Sequence, residues 1–150
     1  MPESVIIRPV VPDDFVQWEP LWKGYNTFYG RDAFPKEITA VAWSRFLDPD
    51  EPVHALVAEK DERLVGLAHY LFHRSTTLIE PTCYLQDLFT IAAARGRGIG
   101  RALIESVYER AKLAGSTRVY WQTHETNLTA MKLYNKIAER SGFIVYRKLL

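Results

Sequence analysis

The stretch from Cys83 to Gly115 most constrains what this chain can fold into. A nearly continuous apolar run, Cys83 to Ile91, precedes the glycine- and arginine-rich segment Ala94 to Arg101. From Ile99 onward, apolar residues recur every three to four positions until Gly115, a pattern typical of an amphipathic helix ended by glycine. A buried strand, a tight turn and a helix therefore follow one another, which predicts an α/β fold.

The glycine-rich segment is compatible with only some binding functions. A dinucleotide fingerprint would need a third glycine where Arg101 stands, and a Walker A loop would end in G-K-[ST], which is absent. An RG-rich nucleic-acid segment is usually repeated, and the net charge of +1 favours no nucleic-acid partner. Two interpretations remain: a helix start with solvated arginines, or a phosphate site at a helix N-terminus to which Arg95, Arg97 and Arg101 add charge-assisted hydrogen bonds.

Hydrophobic periodicity along residues 1–150 predicts one domain with the element order β-α-α-β-β-β-α-β-α-β. The three adjacent strands in the middle indicate an antiparallel meander, and Phe143 to Leu150 is the predicted last strand. The expected fold is α/β, a mixed and mainly antiparallel central sheet flanked by about four helices.

Composition excludes several classes of site. The single cysteine, Cys83, cannot form an internal disulfide or a cysteine-built metal cluster, and the four histidines lack metal-site spacing, so we expect no metal. The sequence has no run of 18 apolar residues and no signal-peptide pattern at its N-terminus. We therefore expect a cytoplasmic protein with no membrane partner.

A second motif follows the predicted strand near residue 120. Asn127, Ala130, Leu133 and Tyr134 form N-x-x-A-x-x-L-Y at a helix start, and Gly142-Phe143 follows that helix. Arg95 to Gly100 matches [Q/R]-x-x-G-x-[G/A]. Together, and in this order, the two motifs resemble those of the GNAT superfamily of acetyl-coenzyme A dependent N-acetyltransferases. YLQDLF, YWQTHETN and SGFIVYRK are most similar to the branch with yeast Hpa-type histone and D-amino-acid acetyltransferases and diamine N-acetyltransferases.

The resemblance implies that acetyl-coenzyme A is the co-substrate. The pyrophosphate would lie on the N–H groups of Arg97 to Gly100, and the pantetheine arm would pair with the end of the preceding strand. Lys136 would reach a phosphate or be a solvated helix lysine. The implied cofactor-binding residues are Phe89, Thr90, Ile91, Arg95, Gly96, Arg97, Gly98, Ile99, Gly100, Arg101, Asn127 and Lys136.

The resemblance also implies direct attack of an amine on the acetyl thioester. Asp87 interrupts an apolar strand, so it is a candidate to hold the ammonium or relay its proton; the alternative is an aspartate paired to a neighbouring arginine or backbone group. Glu125 is the second candidate base. Tyr134 would protonate the departing thiolate, although its apolar helix face also suits a core tyrosine, and the N–H of Phe89 would meet the oxyanion.

The acceptor is left open. Trp22, Tyr25 and Tyr29 form either an aromatic wall of the acceptor pocket, with Asp87, or part of the core. We expect a small primary amine, namely a polyamine, diamine or amino acid. The alternatives are a peptide amine, meaning a protein lysine or N-terminus, and a non-catalytic coenzyme A binding module. Only one strand follows Gly142-Phe143 where the family usually has two, so we expect a homodimer through the C-terminal strand.

Overall fold

The computed structural model describes residues 4–150 and has a five-stranded sheet with helices on both faces. The strands are β1 (Ile6–Pro9), β2 (Val53–Lys60), β3 (Arg63–His73), β4 (Thr82–Thr90) and β5 (Val119–Tyr120). The helices are α1 (Phe15–Phe28), α2 (Lys36–Leu47), α3 (Ile99–Leu113) and α4 (Leu128–Ile137), with 3₁₀ turns at Pro12–Asp14 and Ala92–Ala94. The predicted fold class is confirmed. No helix within residues 4–150 has the length and apolar character needed to cross a membrane.

The strands lie in chain order, β1-β2-β3-β4-β5, and only the last pair is parallel. The turn between β2 and β3 has positive φ at Asp61 (50°) and Glu62 (63°). Two consecutive positive φ values are typical of a type I′ turn, whose twist matches that of a two-stranded hairpin. The central meander is therefore antiparallel, as predicted.

A bulge in β4 interrupts its pairing with β3. His69 pairs with Asp87, but the next residue, Tyr70, pairs with Leu85, so Gln86 has no counterpart in β3. A bulge re-aims the neighbouring side chains and increases local twist. The bulge thus interrupts the alternation of β4 side chains between the two faces of the sheet.

The sheet separates two hydrophobic clusters. Against α1 and α2 lies an aromatic cluster comprising Trp18, Leu21, Trp22, Tyr25, Trp43, Val57, Leu64 and Leu67. The opposite cluster is mostly aliphatic and includes Leu56, Leu85, Ile99, Leu103, Ile104 and Val107. Since α3 begins at Ile99, the core anchors the end of the glycine-rich turn.

The C-terminal end differs from the prediction. The predicted strand around residues 117–123 is reduced to Val119–Tyr120, and Phe143 to Leu150 forms no strand in the described chain. A strand needs a neighbouring edge, and a two-residue β5 presents too short an edge to hold one. The apolar side chains of this segment are exposed by 67–114%: Phe143, Ile144, Val145, Tyr146, Leu149 and Leu150.

Candidate active site

The glycine-rich turn lies between β4 and α3, as predicted. Gly96 (φ 78°) and Gly98 (φ 80°) adopt the left-handed conformation that glycine tolerates best, and Gly98 is the N-cap of α3. The N–H of Ala102 donates to the Gly98 carbonyl at 3.0 Å, so the three N–H groups before it lie at the open helix end. A Cβ at Gly96, Gly98 or Gly100 would meet nothing within 4 Å. The turn therefore has donors and open space that fit a phosphate group.

Arg95 lies at the β4 end of this turn. Its guanidinium lies over the rings of Phe28 and Phe89, at 5.8 and 5.7 Å from their centroids. Its Nε–H donates to the Thr90 carbonyl at 3.0 Å. Arg95 therefore contacts the end of β4 as well as the turn.

The other two predicted arginines have different surroundings. Arg101 donates to the Glu105 carboxylate at 2.8 Å, and both side chains are about half exposed (53% and 54%). Arg97 borders a shallow depression of about 220 Å³ together with Lys60 and Arg63, which come from the β2–β3 turn. Nothing in the linear sequence indicates that these two basic residues approach the glycine-rich turn, because the hairpin brings them there.

The outer edge of β4 is open beyond its short pairing with β5. Cys83 and Tyr84 are the β4 residues that pair with β5 in the described chain. Beyond Tyr84, no strand of residues 4–150 pairs with this edge. An extended ligand can hydrogen-bond to such an edge as an added strand.

The register shows which backbone groups reach the open edge. The Ile91 N–H donates to the Val65 carbonyl at 3.0 Å, which is a β3 partner. Because bonds alternate along an antiparallel ladder, the N–H of Phe89 also faces β3, whereas Leu88 and Thr90 face outward. The N–H of Phe89, which was expected to meet the oxyanion, therefore faces β3, whereas the N–H groups of Leu88 and Thr90 face the open edge.

Asp87 lies near the base of the open edge and is part of a hydrogen-bonded chain. Its Oδ2 lies 2.9 Å from His69 Nδ1, and the two side chains are only 13% and 3% exposed. The indole N–H of Trp18 donates to His69 Nε2 at 3.1 Å. Asp87 therefore has a side-chain partner, but the partner is a histidine and not the arginine or backbone group that the alternative interpretation named. A histidine within the apolar β3 pattern was the available signal.

Three tyrosines surround the same region. Burial raises the pKa of Tyr25 well above its usual range, and its interactions with Asp87 raise the pKa further. Burial and the Asp87 charge also raise the pKa of Tyr29, while burial and Tyr29 raise the pKa of Tyr134. Tyr29 is therefore within electrostatic range of both predicted catalytic residues, Asp87 and Tyr134. The Tyr134 ring is held against Trp121, with centroids 5.4 Å apart.

The aromatic residues predicted to form a wall of the acceptor pocket differ in their exposure. Trp22 is 8% exposed, donates its indole N–H to Thr39 at 3.2 Å and stacks behind Tyr25. Tyr29 is 42% exposed. Arg31 lies 5.8 and 5.5 Å from the Tyr25 and Tyr29 ring centroids, which adds a cation that was not predicted.

Asn127 and Lys136 lie at opposite ends of α4. Asn127 is the N-cap, and its amide is 3.5 Å from the Thr123 hydroxyl. Lys136 is exposed in the last turn, about 13 Å further along the helix axis at 1.5 Å per residue. The two residues would therefore contact different parts of a cofactor. Glu125 lies in an exposed turn before the helix.

Cys83 has no nucleophilic character in this structure. It is fully buried, and burial raises the pKa of its thiol to about 12. A thiol that stays protonated is a poor nucleophile. Residues 4–150 also contain no group of three or more histidine, cysteine, aspartate or glutamate side chains that could hold a metal ion.

Comparison with known proteins finds a matching family model and two similar N-acetyltransferases. The acetyltransferase (GNAT) family model matches residues 16–138. Over 148 residues, 97% of this chain and 91% of the relative, the chain is 34% identical to the D-amino-acid N-acetyltransferase HPA3 of Saccharomyces cerevisiae (strain ATCC 204508 / S288c). It is 26% identical to the uncharacterized N-acetyltransferase YhfO of Bacillus subtilis (strain 168), covering 93% and 94% of the two chains.

A solved structure supports the same fold. AAC(6′)-Iy in complex with the bisubstrate analog CoA-S-monomethyl-acetylneamine superposes with a TM-score of 0.84 at 19% identity, over 99% of this chain and 100% of that one. The family model covers most of the chain, including the glycine-rich turn and the helix of Tyr134. This chain therefore belongs to the GNAT family of N-acetyltransferases.

Proposed function

We propose that the protein transfers the acetyl group of acetyl-coenzyme A directly to the primary amine of a small molecule, with Asp87 and Tyr134 as the catalytic pair. The observation that carries this proposal is the match of the acetyltransferase (GNAT) family model to residues 16–138, which include Asp87, the glycine-rich turn and Tyr134. Direct transfer also agrees with the buried, protonated Cys83.

The coenzyme would use two backbone surfaces. Its pyrophosphate would bind the N–H groups at the start of α3, next to Gly96 and Gly98, and its arm would follow the open edge of β4. On that edge the outward-facing groups are those of Leu88 and Thr90. We therefore assign the oxyanion donor to the N–H of Leu88 and not to that of Phe89.

The proposed reaction replaces the C–S bond of the thioester with a C–N bond. The amine transfers its excess proton to Asp87, and its nitrogen lone pair forms a bond to the acetyl carbon. The C–S bond then breaks, and its electron pair stays on sulfur. The resulting thiolate takes the proton of the Tyr134 hydroxyl, and the nitrogen, which became cationic on attack, loses its remaining excess proton to solvent to give the neutral amide. Exchange with solvent then removes the proton from Asp87 and restores the proton of Tyr134. Burial keeps Tyr134 protonated by raising its pKa, so the donor is ready before attack.

The charges at the acceptor end favour an amino acid over a polyamine. Asp87 suits an ammonium group, whereas Arg31 beside Tyr25 and Tyr29 would repel a second cation and attract a carboxylate. The Nε–H of Arg31 is held by Asn26 at 2.8 Å, so the guanidinium has a defined position and its terminal amino groups can bind a carboxylate. The likeness to a D-amino-acid N-acetyltransferase supports this choice.

An acceptor panel tests the proposal. Release of free coenzyme A thiol is measured with D- and L-amino acids, the corresponding amino-acid amides, diamines, polyamines and histone peptides. We expect amino acids to have the highest kcat/KM. Preference for the peptides would favour a protein lysine or N-terminus instead. Tight acetyl-coenzyme A binding without turnover of any acceptor would favour a binding module.

Arg31→Gln separates the carboxylate contact from the rest of the site. Loss of a charge-assisted pair should raise KM for amino acids about tenfold, while KM for the amides stays unchanged because they lack the carboxylate. Arg140→Gln, at an exposed position of the same charge, is the matched control. An equal change in KM for acids and amides would contradict the assignment of Arg31.

We also propose a homodimer formed through residues 143–150. This segment exposes six apolar side chains and pairs with no strand among residues 4–150. β5, the last strand of the sheet, leaves an outer strand edge. A second copy would offer the same two surfaces, as a symmetric pairing requires.

A further inference from the structure

The chain Trp18–His69–Asp87 joins three separate elements, namely α1, β3 and β4. The two hydrogen bonds are 3.1 and 2.9 Å long, and Trp18 and His69 are 0% and 3% exposed. Nothing in the acetyl-transfer step described above uses Trp18 or His69. Their arrangement nevertheless determines how Asp87 can act.

The indole group determines the tautomer of the imidazole. The tryptophan Nε1–H is a donor only, so His69 Nε2 must accept and carry no proton. In a neutral imidazole the proton is then on Nδ1, which lies 2.9 Å from Asp87 Oδ2 and donates to it. An imidazolium would place its Nε2–H against the indole N–H, so that two donors would face each other without an acceptor.

The imidazole is also held in place on all sides. Its ring centroid lies 4.5 Å from that of Phe46, 5.1 Å from that of Trp22 and 5.8 Å from that of Trp18. Close aromatic packing of this kind restricts rotation of the ring. The Nδ1–H therefore points at one carboxylate oxygen persistently.

The bulge at Gln86 makes the contact possible. It shifts the register so that Asp87, directly opposite His69, carries its side chain to the aromatic face of the sheet. Because His69 donates to Oδ2, one oxygen of Asp87 is anchored while the carboxylate keeps further acceptor sites. The Asp87 carboxylate is thereby orientated and kept as an acceptor.

We propose that Trp18 and His69 are positioning residues: the indole N–H forces His69 into its Nδ1–H tautomer, and this tautomer anchors Oδ2 of Asp87 and keeps the carboxylate available as an acceptor for the substrate ammonium. The kinetic part of this inference rests on the proposed function, whereas the tautomer part does not. His69 thus acts through Asp87 and does not touch the reacting atoms.

The tautomer is measured directly by ¹⁵N NMR of imidazole nitrogens in histidine-labelled protein. We expect one histidine with a protonated Nδ1 and an unprotonated Nε2 near neutral pH, and its signals should disappear in His69→Asn. Trp18→Phe removes the indole donor, so the His69 signals should change. Trp43→Phe, in the same cluster with its ring 4.7 Å from Trp18, should leave the tautomer unchanged. A protonated Nε2 in the unaltered protein would overturn the proposal, even if no acetyl transfer were found.

Two substitutions of His69 test the positioning role. His69→Leu removes the donor and should lower kcat/KM for the amine about tenfold to a hundredfold, without changing the Kd of acetyl-coenzyme A. His69→Asn keeps an N–H near the position of Nδ1 and should restore most of that loss. Equal activity of the two variants, whether both lowered or both intact, would overturn the positioning role. Circular dichroism of both variants checks that they fold.

Discussion

At the residue scale, Tyr134 illustrates how one side chain combines packing with chemistry. Its ring packs on Trp121, whereas its hydroxyl lies within electrostatic range of Tyr29. The aromatic contact holds the ring regardless of the hydroxyl. Removal of the hydroxyl oxygen alone therefore separates the chemical role of Tyr134 from the packing of its ring.

Tyr134→Phe keeps the ring and removes the proposed acid. We expect kcat to fall about tenfold to a hundredfold, because the thiolate would leave without a proton donor, and the Kd of acetyl-coenzyme A to change little. Steady-state kinetics and equilibrium titration measure the two quantities.

Tyr108→Phe is the matched control for that variant. The Tyr108 hydroxyl donates to the Ile137 carbonyl at 3.1 Å and joins α3 to α4, away from Asp87. Its loss should cost about 1 kcal/mol of unfolding free energy and leave kcat unchanged. Unaltered kcat in Tyr134→Phe would remove Tyr134 from the mechanism.

At the element scale, the start of α3 depends on backbone conformation more than on space. Gly98 has φ 80° and Gly100 lies within the helix, yet a Cβ on either would meet no atom within 4 Å. Alanine at position 98 and alanine at position 100 should therefore differ mainly in the backbone strain that they cause.

Gly98→Ala should lower the free energy of unfolding by about 1–2 kcal/mol, since alanine is strained at positive φ. Relaxation of that strain would move the N–H groups of the turn, so the Kd of acetyl-coenzyme A should also rise. Urea unfolding and calorimetric titration measure the two effects.

Gly100→Ala is the comparison, because alanine in a helix is as stable as glycine or more stable, by up to about 1 kcal/mol. If Gly98→Ala were as stable as Gly100→Ala, the left-handed turn would not be required for the fold.

At the scale of the whole molecule, helices cover both faces of the sheet, but nothing in the described chain covers its β5 edge. The exposed segment 143–150 lies outside both hydrophobic clusters. Its removal should therefore leave the packed part of the chain intact while removing the proposed dimer contact.

Deletion of residues 143–150 should convert a dimer to a monomer with unchanged helical circular dichroism. Sedimentation velocity measures the mass in solution. Val145→Asp within the segment should act in the same direction, whereas Leu113→Asp, at an exposed leucine of α3, should not. A monomeric unaltered protein, or a dimer that survives the deletion, would contradict the proposal.

Local sequence patterns were enough to predict the order of the elements from β1 to α4, the glycine-rich turn between a strand and a helix, and the Asp87 and Tyr134 candidates. These follow from periodicity and backbone preferences that act over a few residues. The Trp18–His69–Asp87 chain, the outward direction of Leu88 and the place of Arg31 were decided only by the tertiary structure. A one-residue bulge and the pairing of distant strands set them, and local sequence preferences do not encode such pairing. The unpaired C-terminal segment has the same cause, since a strand forms only where another edge accepts it.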